Sequence, residues 1–277
     1  MLEAFLRADN EITPTILHAN PLRADAQRVY DELTEQGVTL TPHPWMPDCW
    51  LAQGTGNLER LDAFREGRVY VQDPAAHLAA MAAGVQPGMT VLDACAAPGG
   101  KSVAAAMQMK NEGRITSCDI HPHKLSLIEK GAARLGIDIV RPALQNAAER
   151  SEIFLENMDV VIADVPCSGL GVIRKKPDIR YKDLAPLEKL PALQSAILEN
   201  VSAYLKPGGV LLYSTCTVLR RENEAVCEAF LRAHPEFSQE AFAVPARAGL
   251  ENHGMLTLYP CIHDTDGFFI CKMRKQA

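Results

Sequence analysis

The chain has 277 residues, 47% of them hydrophobic and 22% charged, which is enough apolar material for one large α/β unit with a small companion. No stretch reaches the roughly 20 apolar residues of a membrane helix, the start MLEAFLRADNEITP lacks the order of a secretory signal, and the eight cysteines show neither CxxC pairs nor zinc spacing. Reduced cysteines in a cytoplasmic protein without a metal are therefore expected, and a net charge of −6 weighs against a nucleic-acid partner unless a local basic patch overrides it.

Residues 1–70 have their own texture, that of a small α+β subdomain. A helix is predicted at Leu2–Ala8, a strand near Thr15–His18, and a helix over Ala24–Gln36 that stops at Gly37. The segment TPHPWMPDCW, with prolines at 42, 44 and 47, reads as broken chain. A boundary is placed near Gly67–Asp73, so that 71–277 form the second domain.

From there strands and helices alternate. Helix Ala75–Ala83 leads to strand Thr90–Leu92, a glycine loop at Pro98–Gly100 and a helix from Lys101 to Met109. Strand Arg114–Cys118 runs into Asp119, and helix Pro122–Leu135 and a strand near Ile139–Arg141 follow. Met158–Asp164 is an apolar run ending in an acid, as in a buried parallel strand. A helix within Leu187–Leu205, strand Val210–Tyr213 after a KPGG turn, helix Glu222–Ala233 and strands near Met255–Leu258 and Gly267–Lys272 complete the pattern. This alternation predicts a Rossmann-like sheet with helices on both faces.

Such a sheet binds its ligand where the carboxyl ends of its strands open. In DACAAPGGKS the small residues let the backbone approach a ligand, and the loop opens a helix whose free amides favour a carboxylate or phosphate. Asp119, at the next strand end, suits the hydroxyls of a ribose. The loop is neither GxGxxG nor GxxxxGKS, so an adenosine-bearing cofactor with a free carboxylate gains over nicotinamide or ATP. Two more strand ends carry Asp164, Pro166 and Cys167 in DVPCSG, and Cys216 in YSTCT. A small buried hydrophobe is the commonest fate of a cysteine. That suits Cys95, Cys118 and Cys271 better than Cys167 and Cys216, which lie among polar and turn residues. The basic run Arg174, Lys175, Lys176, Arg180 and Lys182, just after PCSG, is the best local answer to the acidic net charge.

DACAAPGGKS, DVPCSGLGVIRKKPDIRY, YSTCTVLRRENE and DGFFICK resemble, in order, the motifs of the RsmB-type (Sun, or Fmu) RNA cytosine-5 methyltransferases, and the resemblance runs from about Leu2 to Lys272. IRKKPDI points to the bacterial ribosomal-RNA branch. The resemblance implies a class I methyltransferase domain with a seven-stranded mixed sheet, preceded by the small subdomain 1–70 as a candidate RNA-binding unit, and S-adenosylmethionine as cofactor. It implies that Cys95, Ala96, Ala97, Pro98, Gly99, Gly100 and Lys101 wrap the methionine end, that Asp119 holds the ribose and that Asn146 lies beside the adenine. Asp164 would face both cofactor and base, Cys216 would be the nucleophile toward carbon 6 of cytosine, and Cys167 would help release the product. Two departures stand out: Asn146 replaces the family's usual Asp, and the chain starts without the helical RNA-binding domain that RsmB itself carries. A transfer-RNA cytosine-5 methyltransferase and a non-catalytic cofactor-binding RNA assembly factor are the alternatives on the same fold.

Overall fold

In the computed structural model, which describes residues 1–183 and 185–277, the chain opens with α1 (Leu2–Ala8) and β1 (Thr15–Ala19). Helix α2 (Ala26–Glu35) begins later than predicted because the Asp25 carboxylate accepts the Gln27 amide at 2.9 Å and takes the N-cap position. The broken segment turns between two strands absent from the predicted set, β2 (Thr39–Pro42) and β3 (Cys49–Gln53). After α3 (Asp62–Arg65), a third such strand, β4 (Val69–Val71), completes an antiparallel sheet in the order β2-β3-β1-β4. Pro42 ends the edge strand β2, where a residue without an amide hydrogen is tolerated.

The second sheet is built from α4 (Pro74–Ala82), β5 (Thr90–Asp93), α5 (Gly100–Gln108), β6 (Arg114–Asp119), α6 (Pro122–Leu135), β7 (Val140–Leu144) and β8 (Met158–Asp164). It continues with α7 (Leu190–Ser202), β9 (Leu205–Thr215), α8 (Glu224–Ala233), β10 (Phe237–Gln239), β11 (Met255–Leu258), α9 (Pro260–His263) and β12 (Phe268–Lys275). The order is β10-β12-β9-β8-β5-β6-β7, with β11 pairing on β12, so the expected seven-stranded path gains an eighth strand. Strands β5 to β9 pair in parallel, and β12 joins β9 antiparallel. The KPGG segment, predicted as a turn, lies inside β9; Gly208 has φ +78° there, and the β8–β9 register shifts between Met158 and Val160.

Successive side chains leave a strand on opposite faces. Val91, Val160, Ile162 and Leu212 join one core with α4, α5 and α6, while Leu92, Val161, Leu211 and Tyr213 join another with α7 and α8. The chain passes from β5 outward to β7, then returns to place β8 on the other side of β5. The β5/β8 junction is thus the switch point at which such sheets open a crevice. Among the described residues no helix is long and apolar enough to cross a membrane.

Candidate active site

The crevice is a cleft of about 470 Å³ at the carboxyl ends of β5, β6, β8 and β9. Cys95, Ala97, Asp119, Asn146, Asp164, Cys167 and Cys216 all line it, gathering the predicted strand ends in one place. The other members of the 95–101 loop do not line it. Ala96 is buried, Gly99 takes φ +106° to begin α5 while packing on Ile128, and Gly100 faces the Gln72 amide. Asp119 Oδ1 accepts the His121 amide at 2.9 Å, and among the described residues its other oxygen has no protein partner. Asn146 spends its side chain on Glu149 Oε1 at 2.8 Å and on the Ala148 amide at 3.1 Å. His121, Lys124 and Gln145 also line the cleft and were not singled out in the sequence; their position just after Asp119 and β7 was the available signal.

Lys101 was assigned to the cofactor loop, yet its buried ammonium reaches across the sheet to Asp164 Oδ2 at 2.6 Å and lies 5.0 Å from the Phe268 ring centroid. Ser214 donates to the other Asp164 oxygen at 2.8 Å. The carboxylate is therefore fixed from two sides. Sequence spacing gives no hint of this network, because its members come from the first turn of α5 and the ends of β8 and β9.

The loops after β8 and β9 are tied together. Ser168 Oγ donates to Thr217 Oγ1 at 2.9 Å, and the Gly171 amide donates to the Cys216 carbonyl at 3.0 Å. Gly171 also touches Gly267: a Cβ at Gly171 would lie 1.9 Å from the Gly267 carbonyl oxygen, so only glycine fits. These ties bring Cys167 Sγ to 3.2 Å from Cys216 Sγ. The hydrogen bond from Cys167, with help from Lys101 and Lys176, holds the Cys216 thiol below its ordinary value against the opposing effects of burial and Asp164. Cys167, facing that sulfur and buried, is held well above. Burial pushes Cys49, Cys95 and Cys227 up as well, and Cys118 up to about 12. Of these six thiols Cys216 is the one that moves toward the thiolate, the reactive form.

The basic run divides. Arg174 Nε donates to Asp266 Oδ1 at 3.1 Å, and Lys175 Nζ bridges Asp73 Oδ2 at 2.6 Å and Asp266 Oδ2 at 2.9 Å. Both acids are less than a tenth exposed. Arg180 donates to the Asp9 carbonyl at 2.6 Å and Lys182 to the Ser168 carbonyl at 3.3 Å. Lys176 is exposed and has no ion pair among the described residues. Of the row expected to meet phosphates, Arg174 and Lys175 are thus each paired with buried carboxylates, whereas Lys176 is not. Among the described residues no group of three or more His, Cys, Asp or Glu could hold a metal ion.

A mixed sheet with a parallel centre and a cleft at its switch point, a small-residue loop after its first strand and an acid at the end of the next places the chain among the Rossmann-like methyltransferases, whose cofactor is S-adenosylmethionine. Residues 80–274 match the family described as 16S rRNA methyltransferase RsmB/F, and the chain belongs to that family. A probable ribosomal RNA small subunit methyltransferase B of Bacillus subtilis is 39% identical over 94% of this chain and 60% of its own length. A ribosomal RNA small subunit methyltransferase F of Escherichia coli is 31% identical over 98% of this chain and 59% of its own. The chain thus spans about 60% of the length of these curated relatives. A crystal structure of a methyltransferase homolog protein from Pyrococcus horikoshii superposes with a TM-score of 0.82 at 26% identity, covering 98% of this chain and 90% of that one.

Proposed function

We propose that this protein methylates carbon 5 of cytosine in RNA, ribosomal RNA being the expected species, through a bond between Cys216 and carbon 6 of the base. The observation that carries the reading is the convergence of two thiols, 3.2 Å apart, on the cleft that Asp119 also lines. Ribosomal RNA is supported by the family's description and by the names of the relatives.

The cleft fits S-adenosylmethionine. Ala94, Cys95 and Ala97 leave its β5 side free of bulk, and the unpartnered Asp119 oxygen suits the ribose hydroxyls. When bound, the cofactor supplies an electrophilic methyl group. The protein's task is to make carbon 5 nucleophilic enough to accept it. Cys216 thiolate adds to carbon 6, and the π pair of the carbon 5–carbon 6 bond becomes available at carbon 5. Asp164, held by Lys101 and Ser214, accepts from the exocyclic amine, and Lys101 behind it offsets the negative charge that the ring gains. Once Cys216 is bonded to carbon its sulfur no longer carries charge. Cys167, freed of the neighbouring thiolate, gives its proton to water. It then takes the proton from carbon 5, that bond's electron pair restores the double bond, and Cys216 leaves as thiolate. The base must be single-stranded or flipped out to enter the cleft.

The two cysteines are expected to have opposite phenotypes. Cys216→Ala should bind cofactor, form no RNA adduct and transfer no methyl group. Cys167→Ala should accumulate a protein–RNA adduct that survives denaturing electrophoresis and vanishes in the double variant. An adduct trapped by Cys216→Ala instead would reverse the roles, and no adduct in either variant with altered stability would make both cysteines structural.

A further inference from the structure

A second basic surface lies where the small sheet meets the C-terminal end of α6. The seam is closely built: buried Asn20 donates to the Gly67 and Leu135 carbonyls at 2.8 and 2.9 Å, and a Cβ at Gly67 would lie 2.0 Å from the Arg134 carbonyl oxygen. Over it, Arg23, Arg28, Arg65, Arg68 and Arg134, with Glu66, line a hollow of about 550 Å³. Two of these guanidiniums are matched, Arg65 by Asp62 and Arg68 by Glu32 and Glu66. The other three have no ion pair among the described residues. Arg134 donates to the Phe64 and Val69 carbonyls at 2.5 and 3.0 Å and stacks 4.0 Å from the Phe64 ring centroid. Arg23 donates to the Leu135 carbonyl at 3.3 Å and lies so close over Gly136 that a Cβ there would be 2.2 Å from its guanidinium. Arg28 is exposed and free of ion pairs among the described residues. Carbonyls aim a guanidinium without cancelling its charge, so Arg23 and Arg134 hold fixed positive charge in the hollow, and exposed Arg28 adds to it, on a chain of net charge −6.

We infer that this hollow is a contact surface for RNA phosphates remote from the reacting base, an inference that rests on the RNA substrate proposed above. Guanidinium forks match phosphate oxygens, and several converging on one hollow suit a polyanion better than a single carboxylate. Helix α6 joins the two sites: His121 and Lys124 at its start line the cleft, and Ala133 and Arg134 at its end line the hollow. Its 14 residues span about 21 Å, a distance that one RNA segment delivering its base to the cleft can bridge.

The test uses Arg23→Gln/Arg28→Gln, two positions on the protein surface whose loss should leave cofactor affinity intact. The probe is poly(U) RNA, which contains no cytosine and reports phosphate contacts alone. The slope of log affinity against log salt should fall by about 1.4, some 0.7 per contact, which amounts to about 25-fold in affinity at 0.1 M salt. Methyl transfer to a short cytosine oligonucleotide should keep its kcat. Arg23→Glu/Arg28→Glu should weaken poly(U) binding further. Wild-type slope and affinity in both variants would overturn the inference and leave an acidic protein segment as the better occupant. If the wild type shows the Arg-dependent slope but transfers no methyl group to any cytosine RNA, the catalytic reading falls and the hollow stands. Methyl transfer with a slope that the arginine substitutions do not alter would keep the catalytic reading and remove the hollow from the RNA path.

Discussion

Arg174 and Lys175 stand side by side in the sequence, next to a cysteine loop, whereas Arg23, Arg28 and Arg134 are scattered along the chain. In the fold the adjacent pair is spent on Asp73 and Asp266, and the scattered set gathers on a hollow without carboxylate partners among the described residues. A run of charge along the chain therefore does not measure charge at the surface. What decides is whether burial forces a cation to find an acid. Arg174 and its two acids are each no more than a tenth exposed, and an unpaired ion at such a depth is costly. Arg23 and Arg28 stay in water and need no partner. The buried set is positioned to act on the cysteines indirectly, since it anchors the loop after Cys167 to the start of α4 and to the turn before β12.

The sharpest way to break this contrast is Arg174→Gln. It leaves Asp266 buried with one cation fewer and should destabilise the fold by roughly 3–5 kcal/mol in urea unfolding, with the salt slope of RNA binding unchanged. The effect should depend on pH. Burial, and then the neighbouring Asp73, push the Asp266 carboxyl up to about 6. A carboxyl raised in the folded state favours folding while it is protonated, and that contribution disappears as pH climbs through the folded value. Removing Arg174 takes away a partner of the charged form, so the loss should be larger at pH 8 than at pH 5. Unchanged stability with a flatter salt slope would return Arg174 to the RNA.

The same distinction separates two acids that each lie shortly before a helix, Asp73 as the N-cap of α4 and Asp119 at the end of β6 ahead of α6. Asp73 accepts the Ala75 and Asp266 amides and the Lys175 ammonium, so neither oxygen is spare. Asp119 accepts the His121 amide with one oxygen and keeps the other for the cleft. Asp119→Ala should therefore weaken S-adenosylmethionine binding by roughly 1.5–3 kcal/mol in calorimetry, the worth of a charge-assisted hydrogen bond, with little loss of fold. Asp73→Ala should do the reverse. Equal cofactor affinity in wild type and Asp119→Ala would remove Asp119 from the ribose site.

The alternation of long apolar strands with helices was legible, because buried parallel strands need continuous Val, Ile and Leu. So were the strand-end residues, since topology sends them to one crevice. Strands β2 and β4 were not legible: they have four and three residues, and β2 buries only Leu40. The KPGG segment was misread as a turn because a glycine pair inside a strand bulge has the same local composition as one between elements. The partners of the basic run were hidden for a different reason. Asp266 lies 92 positions from Arg174, and no local pattern reports an ion pair closed by tertiary packing. The Lys101–Asp164 pair, 63 positions apart, was hidden in the same way.

Lys176 is the member of the run on which the two kinds of charge meet, and it should give the smallest effects. It is exposed, has no ion pair among the described residues, and lies near enough to Cys216 to favour its thiolate. If it touches a phosphate, Lys176→Gln should lower the RNA salt slope by about 0.7, half the change expected from the paired substitutions in the arginine hollow. The same substitution should move Cys216 alkylation by iodoacetamide to higher pH. The sign follows from the charge: a nearby cation stabilises the thiolate, so its removal raises the thiol and less of it is ionised at a given pH. The shift should be smaller than that caused by Cys167→Ala, because the hydrogen bond from Cys167 is the largest influence lowering Cys216, and Lys176 is a lesser one. Cys167→Ala should therefore also form its RNA adduct more slowly at neutral pH while releasing it more slowly still. A larger alkylation shift from Lys176→Gln than from Cys167→Ala would mean that the cation, not the partner thiol, sets the reactivity of Cys216.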